Sequence, residues 1–250
     1  MAAPIQKLVS LSSKLFGRLS PEKITKDHLA PLARNMNDIT AEDVMFDASE
    51  VEKRDLSKQH DEAFDNEIAP VTYMHLHQER TFSMSIFVLK SGGVLPLHDH
   101  PKMFGLLKVI HGSVKIISYT EVNQQPLTLS EDEIDMKYRQ TRSFYKNIKT
   151  VHRNKDIILT ESDECCILSP TEGNIHEIHP ETKMAAFLDI LAPPYDNNDQ
   201  CCHYYKEMAA SKVSDTRWLL EIPQPASYWC DTIDYRGPPL SSYVNFPQRN

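Results

Sequence analysis

At 250 residues and 28.7 kDa the chain can bury a full hydrophobic core, which is expected to form mainly as one domain. A formal charge of -8, a pI near 5.8 and the lack of a basic stripe argue against a nucleic-acid partner. No apolar run approaches bilayer length, and the five cysteines form neither a CxxC pair nor a zinc-finger spacing, so a reduced, cytoplasmic monomer without a membrane partner is expected.

Residues 1 to 20 carry Lys7, Lys14 and Arg18 but no acid, and Leu8, Leu11, Leu15 and Leu19 fall on one helical face. A helix docked on the domain suits this pattern better than an organellar presequence, and a secretory signal would need a continuous apolar core. Ser20-Pro21-Glu22 reads as a helix start that Pro31 should end or kink. Thr40-Ala41-Glu42-Asp43 resembles a second start, and 48 to 66 is charged enough to be a solvated helix or linker. The expected division is a helical, polar segment over 1–66 packed on a core over 67–250.

From Pro70 the pattern changes to short strands. They are expected at Val71 to His75, Phe82 to Leu89, Phe104 to Ile110 and Ser113 to Tyr119, with His111-Gly112 as a tight turn. Residues 121 to 147 lose the rhythm and read as a surface excursion. Strands resume at Asp156 to Thr160, Cys165 to Ser169, Ile175 to His179 and Ala185 to Leu191, with a late one at Trp218 to Ile222. The Pro-rich stretch from Pro223 is expected to wrap the surface. Many short strands broken by Gly and Pro, without alternating long helices, indicate a mainly β sandwich or small barrel.

The chain is organised around Leu97-His98-Asp99-His100-Pro101. Histidines one residue apart on a strand point to one face, where they can hold two cis positions of a metal. A lone His-x-His is weak evidence, and His75-x-His77 is a second example without a glycine-flanked partner. Downstream, Pro170-Thr171-Glu172-Gly173-Asn174-Ile175-His176 again describes a turn delivering a histidine onto a strand.

This scheme resembles the two metal-binding motifs of the cupin superfamily, jelly-roll-like barrels built as double-stranded β-helices. The usual first motif continues to a glutamate, and Gly105 stands at that position here. The resemblance therefore implies three ligands, His98, His100 and His176, and no carboxylate. Iron in an oxygenase, zinc in a hydrolase or isomerase, and a metal-binding cupin without enzymatic activity all remain open on this evidence.

A closer resemblance covers about residue 70 to the Trp218 region and part of the Pro-rich tail. Pro70-Val71-Thr72-Tyr73-Met74-His75, Pro96 to Pro101, Gly173 to His176, Phe187-Leu188-Asp189-Ile190-Leu191-Ala192-Pro193-Pro194-Tyr195-Asp196 and Cys202-His203-Tyr204-Tyr205 resemble the family of cysteamine dioxygenases and plant cysteine oxidases. That resemblance implies Fe(2+) as cofactor, O2 as co-substrate and a sulfinate as product. The implied substrate is cysteamine or the N-terminal cysteine of a protein, whose oxidation marks that protein for degradation. It also implies that Asp189 is an acid near the substrate and that Tyr204 can cross-link to a neighbouring cysteine, here Cys202. Read from the residues alone, Asp189 is a costly charge in an apolar strand that either has a structural partner or serves the site. Cys202 and Tyr204 share one side of an extended backbone, and Tyr73 is a pocket-wall candidate; packing alone is the alternative for all three.

Overall fold

A computed structural model of the protein describes residues 3–59, 68–122, 148–196, 200–208 and 216–240. Among these residues three helices, α1 (Pro4–Phe16), α2 (Lys26–Asn37) and α3 (Ala48–Gln59), precede the strands. The strands are β1 (Val71–Gln78), β2 (Ser83–Lys90), β3 (Leu95–Asp99), β4 (Phe104–His111), β5 (Ser113–Glu121), β6 (Ile148–Arg153), β7 (Ile157–Thr160), β8 (Cys166–Leu168), β9 (Ile175–Pro180), β10 (Met184–Ala192), β11 (Tyr204–Glu207), β12 (Thr216–Ile222) and β13 (Cys230–Thr232). They form two facing sheets, ordered β13-β1-β2-β10-β4-β8 and β6-β12-β11-β3-β9-β5-β7. All pairings are antiparallel except β1 with β13. This is the double-stranded β-helix expected from the sequence, with helices at its N-terminal end.

The near-continuous apolar run of β10 has a direct cause. Met184, Ala186, Leu188 and Ile190 pack outward with the helices, whereas Ala185 and Phe187 pack into the barrel. A strand covered on both faces must be apolar throughout, and each fully buried Leu, Ile or Phe contributes about 1.5–3 kcal/mol. Asp189 breaks the run on the barrel side and is the residue of β10 that is not fully buried.

Helix α1 supplies the outer cover, burying Ile5, Leu8, Val9, Ser12 and Phe16, with Phe16 and Phe82 ring centres 6.1 Å apart. Leu11, Leu15 and Leu19 lie at the margin of this stripe, because the 3.6-residue period turns the leucine face slightly away from the sheet. Ser20-Pro21-Glu22 makes only a 3-10 turn, Pro21–Lys23. Helix α2 begins instead after Thr25, whose hydroxyl and N–H both meet His28 Nδ1. Pro31 lies inside it, and burial of Leu29, Leu32 and Met36 offsets the missing hydrogen bond.

Thr40 gives another single turn, Glu42–Val44, which ends at Met45 in the left-handed region (φ 53°). Helix α3 is charged but not simply solvated. Arg54 donates to Thr72 Oγ1 (2.9 Å) and Asp231 Oδ2 (2.8 Å), and Asp55 pairs with Lys90 (2.8 Å). Residues 60–67 and nearly all of the 121 to 147 excursion lie outside the described residues. Strand β13 emerges from the Pro-rich tail as a parallel edge on β1, where a surface wrap was expected. No helix among the described residues is long and apolar enough to cross a membrane.

Candidate metal centre

Strands β3 and β9 pair with His98 directly opposite His176. His98 and His100 point into the barrel, while Leu97 and Asp99 face the other way, Leu97 within a separate cluster that includes Tyr205 and Leu219. His100 lies just past the end of β3, so the strand alone does not hold it. Asn174 does: its Nδ2 donates to His100 O (2.7 Å) and Ser169 O (3.1 Å), and its Oδ1 accepts from His100 N (3.2 Å). The three rings stand 4.8–4.9 Å apart, and each histidine is at most 8% exposed.

The ring tautomers follow from their partners. His98 Nδ1 is 2.7 Å from Pro96 O, which can only accept, so Nδ1 carries the proton and Nε2 keeps its lone pair. The Tyr195 hydroxyl donates to Asp99 O (2.6 Å), leaving its oxygen to accept from His100 Nδ1 (2.8 Å). Burial lowers all three imidazole pKa values, and for His100 and His176 it pushes them well below the ordinary value, assisted by the neighbouring rings. The donor set is therefore neutral. His100 Nε2 and His176 Nε2 lie 3.1 Å apart, and a donor atom from each of the three residues falls within 4.8 Å of the others. Nitrogens bound cis to one ion at about 2.1 Å stand about 3 Å apart, so the cluster fits a divalent cation, and among the described residues no carboxylate belongs to it.

A cavity of about 210 Å³ opens onto these rings. Asp189 faces it from β10 in the opposite sheet, and burial pushes its carboxyl up to about 7. It has no hydrogen-bond partner among the described residues.

Residues 36–240 match the PCO_ADO family. The chain belongs to that family. It is 40% identical over 186 residues to the 2-aminoethanethiol dioxygenase of Homo sapiens, covering 68% of each chain. It is 35% identical over 147 residues to plant cysteine oxidase 1 of Arabidopsis thaliana, covering 58% of this chain and 44% of that one.

In this family member Cys202, Tyr204 and Tyr195 all line the cavity. Burial holds the Cys202 thiol up to about 11 and raises the Tyr204 phenol. Tyr204 sits opposite His98 in register, with its ring 6.0 Å from Tyr228, which closes the same wall. Tyr73 is not among the lining residues. It stands on β1, two strands from Asp189, with its ring edge-on to Phe87 at 5.2 Å. Phe87 is the side chain that reaches the wall from that side.

Gly105 faces the barrel as expected, but the space beside it is filled. A Cβ there would come within 2.8 Å of Leu168, its partner in register on β8.

Sequence reasoning missed Asn174 and Tyr195, which hold His100, and Asp99. The Asp99 carboxylate accepts from His203 N (2.9 Å) and Tyr205 OH (2.8 Å) and lies 3.2 Å from His203 Nδ1. The only available signal for Asp99 was its alternation with the two histidines, which turns it to the other face.

Proposed function

We propose that this protein is an Fe(II)-dependent thiol dioxygenase that converts the thiol of cysteamine or of a protein N-terminal cysteine to a sulfinate. The observation that carries this reading is an all-histidine donor set facing, across one small cavity, a carboxyl with no partner among the described residues. The names of the human and Arabidopsis relatives support the substrate class.

An iron ion held by His98, His100 and His176 would supply the redox chemistry that joins a thiol sulfur to dioxygen. The chain's residues prepare that chemistry. Pro96 O and Tyr195 hold two rings in the tautomer that offers Nε2, and Asn174 fixes the backbone of His100. The three donors are neutral, so an ion held by them would keep its full charge and favour the thiolate form of a nearby thiol. Asp189 receives the substrate ammonium, and that approaching charge favours its ionised form. Phe87, Leu95 and Phe187 keep water from the reacting sulfur. The overall conversion, RSH + O2 to RSO2H, consumes no reductant. Cys202 and Tyr204 shape the wall beside His98 and are the pair available for a cross-link.

In this reading residues 1–66 are a helical cover and 67–250 the catalytic domain, supported by the core that α1 and α2 share with β10. The protein acts as a cytoplasmic monomer without nucleic acid, a view favoured by its charge of -8 and by cysteines that form no disulfide among the described residues. The test is mass spectrometry of iron-loaded protein with cysteamine and with a Cys-initiated peptide under isotopically labelled oxygen. Both product oxygens should carry the label. Label arriving from water, or turnover that persists without oxygen, would overturn the assignment.

A further inference from the structure

A second and larger space, about 580 Å³, reaches the same centre from another side, with His176, Leu107 and Asp189 at its inner end. It runs out through the seam between the two sheets. Strand β8 is the last strand of one sheet and β7 the last of the other, so each has one neighbour among the described residues. Ser118, Thr120 and Asn154 give one side of the groove a polar lining. At its lip stand Ile157 and Ile167, large apolar side chains 36% and 37% exposed.

Neither feature suits a small amino-thiol. A molecule of a few heavy atoms would leave most of this volume to water, since spaces of this size normally bury a much larger ligand. Apolar side chains exposed beside a groove mark a contact surface, and strand edges with a free side suit an extended chain. The 210 Å³ cavity, walled by Tyr195, Tyr204 and Tyr228, has no room for several residues of polypeptide.

We propose that the seam between β7 and β8 receives the residues that follow the N-terminal cysteine of a polypeptide substrate, and that Ile157 and Ile167 select an apolar side chain shortly after that cysteine. The first residue then sits with its sulfur toward the histidines and its ammonium at Asp189, while the rest of the chain leaves over the lip. This rests on the dioxygenase reading, and cysteamine turnover checks that reading separately.

The experiment compares cysteamine with Cys-initiated peptides carrying either leucine or glycine over the next few positions. The unmodified protein should favour the leucine peptides by about tenfold in kcat/KM, the worth of burying one exposed isoleucine face. In the Ile157→Ser, Ile167→Ser double variant that preference should collapse, and the peptide-to-cysteamine ratio of kcat/KM should fall about tenfold. Ile158, 58% exposed on β7 but outside the groove lining, is the control. Ile158→Ser should keep the preference.

A photo-reactive group at the third residue of a Cys-initiated peptide, used on the unmodified protein, should label residues 157 to 168. Labelling confined to the Tyr204 and Tyr228 wall, or a leucine preference that survives the double variant, would overturn the groove while leaving the dioxygenase intact. Failure to oxidise either thiol would remove the reading beneath it.

Discussion

The chain contains two His-x-His pairs on neighbouring stretches of sequence, each with a carboxylate nearby, and they behave differently. His77 lies 3.1 Å from Glu79 and packs on the Phe82 ring at 5.5 Å, and Glu79 also accepts from Ser13 of α1. His77 and Glu79 thus have structural partners, and His75 lies exposed on β1. His98 and His100 turn their Nε2 atoms to a third histidine, and the carboxyl facing them, Asp189, is paired with nothing among the described residues. A site is thus marked less by residue spacing than by polar groups aimed at a space and left unsatisfied there.

The largest effect should come from removing a member of the working set. His176→Ala should lower iron affinity by more than about 100-fold and abolish sulfinate formation, whereas His77→Ala leaves metal analysis and turnover near the parent's values. Full iron occupancy in His176→Ala would erase the distinction between the pairs.

Next in size is Asp189→Asn. With iron content retained, kcat/KM for a free-amine substrate should drop about 30-fold, in line with losing a desolvated charge pair. An N-acetylated peptide should already be poor with the unmodified protein. Equal turnover of the acetylated and free peptides would show that the carboxyl reads no amine.

Tyr195→Phe removes the hydroxyl between Asp99 O and His100 Nδ1 and should cost about tenfold in iron affinity, measured by competition with a chelator. The equivalent loss beside the structural pair, Ser13→Ala at Glu79, should leave iron affinity unchanged.

The smallest effect is thermal, and it separates the two carboxylates by cost. The Asp189 pKa is raised to about 7 from an ordinary 3.8, so the folded state binds its proton more tightly than the unfolded chain does. Stability associated with that proton is fully present below about 4 and is lost as pH rises through about 7. In metal-free protein, Asp189→Asn should therefore raise Tm at pH 8 by a few degrees, at about 2–4 °C per kcal/mol, with the gain shrinking toward pH 4. A gain of equal size at both pH values would mean that ionisation is not its source.

The histidine triad was legible because period-two alternation and the glycine-flanked turn before His176 are local features, and Asp189 because a charge interrupts an otherwise apolar strand. Its supports were not legible. Asn174 reaches His100 across 74 positions and Tyr195 reaches Asp99 across 96, so no local pattern announces either contact. Helix boundaries went astray where side chains outweighed Pro signals, as at Thr25 and His28. The short β13 was hidden because its strand character comes from lying beside β1 rather than from its own composition.

Asp99 has a consequence for how the protein tolerates change. Its neighbours on both sides turn inward to the histidine cluster, while its own carboxylate fastens the segment that carries His203 and Tyr205, and through them Cys202 and Tyr204. One tripeptide is therefore a rivet with two heads. A substitution at Asp99 touches no substrate and removes no ligand, yet it would loosen the floor and the wall of the reaction chamber together. Drift at this position should be penalised as severely as drift at residues that meet the sulfur.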